Sequence, residues 1–217
     1  MFRVETVVDR PPRSSVRRIG GFSTPVLADV LETNRGVMDS GIKPTGSADQ
    51  VVGTAITVDA PPGDNLVVHK ATSVASEGDV LVLDADGYSE SGIWGELLSV
   101  AAVEKGVQGT IVDGGVRDIA EVSDLDYPVF ARHVSPKGST KTHPGSINVP
   151  ISCGGAAVTP GDVVVGDENG VVVVPKDGID GVVKACEKKQ VKEQQARKEK
   201  AVYRTYATTF DEEFGDQ

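Results

Sequence analysis

The sequence predicts a layered α/β domain that ends in a highly charged helix, and three patterns carry that expectation. Short runs rich in Val, Ile and Leu alternate with segments of helical periodicity. Glycine-rich turns separate them, and the region from residue 181 onward becomes strongly polar. With 217 residues, 39% hydrophobic and 25% charged, the chain is long enough for one sizeable core. The expected layout is an N-terminal arm over residues 1–20, an α/β domain over 21–180, and a C-terminal helix with its tail over 181–217.

Residues 1–20 lack sustained periodicity, which is why they read as an arm. Ser23, Thr24 and Pro25 then supply a cap and a proline for a first helical turn. Val26, Leu27, Val30 and Leu31 give that helix an apolar face, and Asn34, Arg35 and Gly36 are expected to stop it. Residues 50–60 read as a strand closed by Pro61, Pro62 and Gly63. Asp64 is expected to cap a helix showing Val67, Ala71, Val74 and Ala75 on one side. The run over 80–84 is almost continuously apolar, as in a parallel strand covered on both faces.

Trp94, Leu97, Leu98, Ala101, Ala102 and Lys105 follow a helical period that ends at Gly106, and residues 109–113 form another β run. Together they make a βαβ unit. Its last strand runs into Gly114 and Gly115, and ligands of open α/β sheets gather beyond the carboxyl ends of strands, so Arg117 and Asp118 stand where chemistry is expected. Residues 128–132 are a further strand, and 135–145 a polar loop holding Lys137, Lys141 and His143. Residues 163–165 and 171–174 flank an Asn169-Gly170 pair that favours a hairpin turn. Val182, Val183, Ala185 and Cys186 open a helix over 180–204.

Composition narrows the function. Lys and Arg number 22 against 32 Asp and Glu, a formal charge of −10, which argues against a phosphate backbone as partner. No apolar stretch approaches the roughly 20 residues of a membrane span. Cys153 and Cys186 stand without ligand spacing, so neither a zinc site nor a disulfide framework is indicated. Arg3, Arg10, Arg13, Arg17 and Arg18 are interrupted by acids and prolines, and no signal-peptide core follows. The expectation is a cytoplasmic protein that engages neither nucleic acid nor membrane.

A P-loop, a GxGxxG fingerprint, an HExxH motif and a GxSxG elbow are all missing from the sequence. What remains is the glycine-rich turn presenting Arg117 beside Asp118, with Glu121 one helical turn on. A carboxylate and a guanidinium that close can hold hydrated Mg²⁺ and a carboxylate or enolate oxygen together, which suits 2-oxo acids. His69 and His143 are lone histidines that read as structural or exposed. Asp84, Asp86 and Asp113 follow strands, where turn chemistry explains them as well as a supporting role does.

At these residues the chain resembles the RraA-like family, which includes 4-hydroxy-4-methyl-2-oxoglutarate/4-carboxy-4-hydroxy-2-oxoadipate aldolases, oxaloacetate decarboxylases and the regulator of ribonuclease E activity. The resemblance runs through GTAITVDAPPGDNL, EGDVLVLDADG, WGELLSVAAVEKGVQGTIVDGGVRD, YPVFAR and PGDVVVGDENGVVVVP. It implies an α/β/α sandwich of the swivelling-domain type. The family pattern sets an acidic residue or glycine twenty residues before Arg-Asp, and Glu96 and Arg117 keep that interval, with glutamate where the aldolase pattern has aspartate.

Carried over, the resemblance makes Asp118 the anchor of Mg²⁺ or Mn²⁺ and Arg117 the group that meets the keto or enolate oxygen. The backbone amides of Gly95, Glu96, Leu97 and Leu98 would take the pyruvate-type carboxylate, as a helix N-terminus can. Glu96 would hold the water that protonates the enolate, and Lys141 is similar to a substrate-side lysine. The implied activity is a metal-dependent lyase giving pyruvate from a 2-oxo acid, in a homotrimer or hexamer with sites between subunits. Two alternatives come with it: a non-catalytic regulator that binds a ribonuclease or another protein, and a trimer that binds a 2-oxo acid without turnover.

Overall fold

The structure is a computed structural model that describes residues 2–31, 36–198 and 202–215. Short helices α1 (Arg13–Ile19) and α2 (Thr24–Val30) precede strands β1 (Lys43–Pro44) and β2 (Val51–Asp59). Three strand-crossing helices follow, α3 (Leu66–Val74), α4 (Glu96–Glu104) and α5 (Ile119–Asp124), set between β2, β3 (Asp79–Trp94), β4 (Gly109–Val116) and β5 (Val129–Val134). The second half holds β6 (Ser146–Ile147), the hairpin β7 (Ile151–Cys153) and β8 (Ala156–Val158), then β9 (Val163–Asp167) and β10 (Gly170–Val174). A 3-10 turn at Lys176–Gly178 leads into α6 (Ile179–Lys198), and α7 (Val202–Phe214) follows.

The main sheet runs β1-β5-β4-β3-β2-β9-β10, with β6 paired to β2. Pairs β2–β3, β3–β4 and β4–β5 are parallel, which the intervening helices require; the remaining pairs are antiparallel. Side-chain alternation sorts the core cleanly. Ile56, Val58, Leu81, Leu83, Val112 and Ala131 point to the face covered by α3, α4 and α5. Their neighbours Ala55, Val80, Val82, Ile111 and Phe130 point the other way, where they meet Val164, Val171 and Val173 of β9 and β10 and Cys153, Ala156 and Val158 of the hairpin. The layered α/β class therefore holds, with the sheet curved so far that its concave face is almost a closed barrel. Helices α1, α2 and α6 cover Val163, Val165, Val172 and Val174.

Several local expectations change. Residues 1–20, expected as an arm, lie on the body: Ile19 is fully buried, Val4 bridges to Ile147, and Arg10 forms two 2.8 Å hydrogen bonds with the buried carboxylate of Asp79. The expected stop at Asn34 and Arg35 lies outside the described residues, and α2 ends at Val30. The cap of α3 is Asn65, with Asp64 instead accepting the Leu66 N–H at 2.9 Å. Trp94 closes β3 and does not begin a helix, because β3 continues through register shifts after Asp84 and Tyr88. A hairpin joins β9 to β10 as expected, but its two loop residues are Glu168 and Asn169, and the positive φ falls on Gly170, at 140°. The polar C-terminal region forms α6 and α7, and the part of the expected 180–204 helix at 199–201 lies outside the described residues. No helix among the described residues is long and apolar enough to cross a membrane.

Candidate active site

A cleft of about 360 Å³ lies at the carboxyl ends of β3 and β4. It is lined by residues of β3 and α4 from Gly92 to Leu98, by Arg117, Asp118 and Glu121, by Asn65 and His69 of the α3 start, and by Gly138, Ser139 and Lys141 of the polar loop. Thus Arg117, Asp118, Glu96, Gly95, Leu97, Leu98 and Lys141, singled out from sequence, share one cavity.

Arg117 follows the last β4 residue and is fixed by its N–H to the Trp94 carbonyl at 2.9 Å. Asp118 caps α5 in the left-handed conformation, φ 57° and ψ 43°, which turns its carboxylate back toward the arginine. Arg117 Nε donates to both Asp118 oxygens, at 3.1 and 3.0 Å, while Asp118 Oδ2 also accepts the Glu96 N–H at 3.3 Å. Both side chains keep partial solvent access, 42% and 30%. The guanidinium therefore retains free donors for a ligand.

Gly95 caps α4, so its first-turn amides face the cleft. Of the amides expected to receive a carboxylate, that of Glu96 is engaged by Asp118, leaving those of Gly95, Leu97 and Leu98 as the candidates for an anion. Helix α4 is held at this depth by Trp94, whose indole donates to Ser99 Oγ at 2.8 Å, while that hydroxyl donates to the Gly95 carbonyl at 3.0 Å. Trp94 also stacks on Tyr127, with ring centroids 6.3 Å apart. Two glycines make room for the pair: a Cβ on Gly92 would lie 2.8 Å from Arg117 Cβ, and one on Gly95 would strike Asp118 Oδ2.

Two cleft residues were not foreseen. Asn65 is 7% exposed and donates to the Ile93 carbonyl at 3.2 Å, but its Oδ1 is buried without a partner among the described residues. An orphaned acceptor at a cavity wall is a natural partner for a ligand hydroxyl or a water. The Asp64-Asn65 pair reads in sequence only as a helix start. His69 also lines the cleft; burial, followed by the nearby charge of Lys141, pushes its imidazole below the ordinary value and so favours the neutral ring. His143 is exposed, with Nδ1 3.4 Å from Asp64.

Asp84, Asp86 and Asp113 lie outside the cleft lining. Asp113 binds Arg132 and the Gly154 N–H, and Asp84 accepts the Asp86 N–H at 3.0 Å. Both cysteines are free and buried, Cys153 in the concave core and Cys186 on the inner face of α6, away from the cleft.

The family model RraA-like, described as Aldolase/RraA, matches residues 24–173. The chain belongs to the RraA-like family. Among RraA-like relatives, a Halalkalibacterium halodurans protein provisionally named 4-hydroxy-4-methyl-2-oxoglutarate aldolase is 45% identical over 169 residues, covering 77% of this chain and 79% of its own length. Among solved structures, Streptomyces coelicolor RraAS2, titled an unusual member of the RNase ES inhibitor RraA protein family, superposes with a TM-score of 0.79 at 28% identity. The match covers 87% of this chain and 98% of that one. The RNA-processing inhibitor RraA from Thermus thermophilis gives 0.65 at 30% identity, over 71% of this chain and 93% of its own. The RraA-like fold thus carries both enzyme-named and inhibitor-named relatives.

Proposed function

We propose that this RraA-like chain is a lyase that cleaves a C–C bond of a 2-oxo acid to release pyruvate. The substrates are 4-hydroxy-4-methyl-2-oxoglutarate, cleaved by retro-aldol reaction, and oxaloacetate, cleaved by decarboxylation. The observation that carries this reading is the Arg117–Asp118 pair, held in a cleft that is also lined by the α4 first turn and Lys141. The Leu97 and Leu98 amides suit the substrate's C1 carboxylate. The Arg117 guanidinium suits the 2-oxo oxygen, where negative charge grows as the bond breaks.

The donor chemistry fits Mg²⁺ or Mn²⁺. Asp118, Glu96 and Glu121 offer hard oxygens on one cleft, yet no three His, Cys, Asp or Glu side chains among the described residues form a closed cage. An ion here keeps mostly water ligands, the habit of Mg²⁺. Asp118 is the residue that would anchor it, and when bound it supplies positive charge beside the 2-oxo group.

In the retro-aldol direction the C4 hydroxyl loses its proton, the C3–C4 bond breaks, and its electron pair forms the C2–C3 enolate. In decarboxylation the same bond breaks with loss of CO₂ and no proton need be removed. Both end when C3 takes a proton. Glu96, at the first position of α4, is the side chain that would hold the delivering water.

A homotrimer or hexamer with the cleft between subunits belongs to the same reading. Leu97 is 80% exposed and Leu66 is 42% exposed, both flanking the cleft, an apolar rim that a second copy would cover. The inhibitor names of the solved RraA-like neighbours favour one other reading, a regulator that binds a ribonuclease. The test is to incubate the protein with each substrate and Mg²⁺ and follow pyruvate, beside a pull-down with ribonuclease E. Pyruvate release supports the lyase; ribonuclease capture with no pyruvate supports the regulator.

A further inference from the structure

One wall of the cleft, beside Arg117, is built from a segment that has almost nothing apolar to bury. Residues 135–145 read Ser-Pro-Lys-Gly-Ser-Thr-Lys-Thr-His-Pro-Gly. Such a loop cannot be fixed by hydrophobic packing. Its residues 140–143 are gathered on one carboxylate. Asp64 is 1% exposed, and its Oδ2 accepts the Thr142 N–H at 2.7 Å, the Thr140 hydroxyl at 2.8 Å, the His143 N–H at 3.0 Å and the Thr142 hydroxyl at 3.1 Å. Its Oδ1 accepts the Leu66 N–H at 2.9 Å, tying the same carboxylate to the start of α3.

Backbone bonds extend the clamp. Asn65 N–H donates to the Thr140 carbonyl at 3.0 Å, and Thr140 N–H to the Gly63 carbonyl at 2.8 Å. At its other end the loop is held by Gly92 N–H on the Lys137 carbonyl at 2.9 Å, and Gly138 sits beside Arg117 Nη1. Lys141 lies between Thr140 and Thr142, both bound by Asp64, and its side chain lines the cleft. The residue next to Asp64, Asn65, lines it as well.

We propose that Asp64 is a positioning residue: its buried carboxylate holds residues 138–143 as one wall of the cleft and so sets where the Lys141 ammonium stands relative to Arg117. This rests on the lyase reading only in that Lys141 meets the substrate. Asp64 itself is not among the residues that line the cleft. A carboxylate taking four donors from the loop restrains it in a way that an amide, with one acceptor oxygen and a donor in place of the other, cannot. A plain loop staple would affect stability alone. A positioning residue also affects binding, and does so through Lys141.

The experiment compares the parent, Asp64→Ala, Lys141→Ala and the double variant. Hydrogen exchange comes first because it needs no activity. In Asp64→Ala the Thr142 and His143 amides should exchange at least ~100-fold faster, while Ser99 in α4 stays protected. Kinetics come second: Asp64→Ala should raise KM for oxaloacetate by ~10-fold or more with a smaller change in kcat, and should add less than ~2-fold on top of Lys141→Ala. If the parent releases no pyruvate, the lyase reading falls, and oxalate affinity by calorimetry replaces KM in the same four-way comparison. If Asp64→Ala does not fold, Thr140→Val with Thr142→Val removes two donors from the loop side and carries the same comparison with smaller expected effects. Unchanged exchange at Thr142 and His143, or losses that multiply fully with Lys141→Ala, would overturn the proposal.

Discussion

Gly95 and Asp118 are packed so closely that a Cβ on the glycine would overlap the aspartate's Oδ2 and lie 3.0 Å from Arg117 Cγ. The glycine's backbone is extended, φ −168°, so space and not conformation demands it there. The same approach lets Asp118 Oδ2 reach the Glu96 N–H. The cap of α4 and the Arg-Asp pair are therefore one unit, built from strands whose ends differ by more than twenty residues in sequence.

Gly95→Ala should push the Asp118 carboxylate away from its place. The expected outcome is a loss of pyruvate-forming turnover of ~100-fold, with thermal stability changed little because the site is partly exposed. Steady-state kinetics beside a melting curve check it; full activity in that variant would show that the approach has no bearing on chemistry.

Asp118 also carries the expected metal dependence. Excess EDTA should abolish turnover, and Mg²⁺ or Mn²⁺ should restore it. Asp118→Asn should weaken the ion's affinity severely in calorimetric titration. Activity that persists in excess chelator would remove the metal from the account.

Glu96 separates the two reactions. If its carboxylate organises proton transfer, Glu96→Gln should impair retro-aldol cleavage more than oxaloacetate decarboxylation, since only the former removes a hydroxyl proton. Solvent exchange of the pyruvate methyl protons should slow in parallel. Equal losses in both reactions with unchanged exchange would leave Glu96 as a first-turn helix charge.

Acid stability has a sign that the buried carboxylates fix. Burial alone would push the Asp64 carboxyl up, but hydrogen bonds from Thr142, Leu66, Thr140 and His143 outweigh it and hold it well below the usual range. Its contribution is therefore fully present above an unfolded value of about 3.9 and is lost as pH falls through the lower folded value. Asp84 has the opposite sign: burial, with Asp113, Asp59 and Asp86 nearby, raises it, so its ionisation costs stability as pH rises above about 4. Urea unfolding at pH 3 and pH 7 should show Asp64→Asn destabilising more at pH 7 than at pH 3, and Asp84→Asn stabilising at pH 7 with little effect at pH 3.

Arg10 tests whether the N-terminal residues belong to the fold. Arg10→Ala leaves the Asp79 carboxylate, with its side chain 1% exposed, without its bidentate partner. A loss of about 1–3 kcal/mol is expected, discounted for the arginine's own exposure. A melting temperature equal to the parent's would mean that the first residues contribute nothing.

What the sequence disclosed was what local pattern can encode. The β9–β10 hairpin, the Gly95 helix start and the apolar runs of β3 and β4 each follow from neighbours in the chain. The Asp64 clamp joins residues 76 or more positions apart, and no spacing marks it. Asp64 reads as the helix cap, but Asn65 holds that position and carries an orphaned oxygen on the cleft wall. Trp94 fits the helical period of Leu97, Leu98 and Ala101, yet it ends β3, because the strand's bulges carry it past Asp84 to pair with Val116. Periodicity could not distinguish the two.

Stabilisation of an enolate by Arg117 in this cleft is measured by pyruvate release from Arg117→Ala and Arg117→Lys. With 4-hydroxy-4-methyl-2-oxoglutarate or oxaloacetate and saturating Mg²⁺, the parent should form pyruvate. Arg117→Ala should lower turnover at least ~100-fold at an unchanged unfolding midpoint, and Arg117→Lys should restore it only in part, since lysine lacks the fork that meets an oxygen anion and Asp118 together. A parent that forms no pyruvate from either substrate, or both variants turning over at the parental rate, would contradict it.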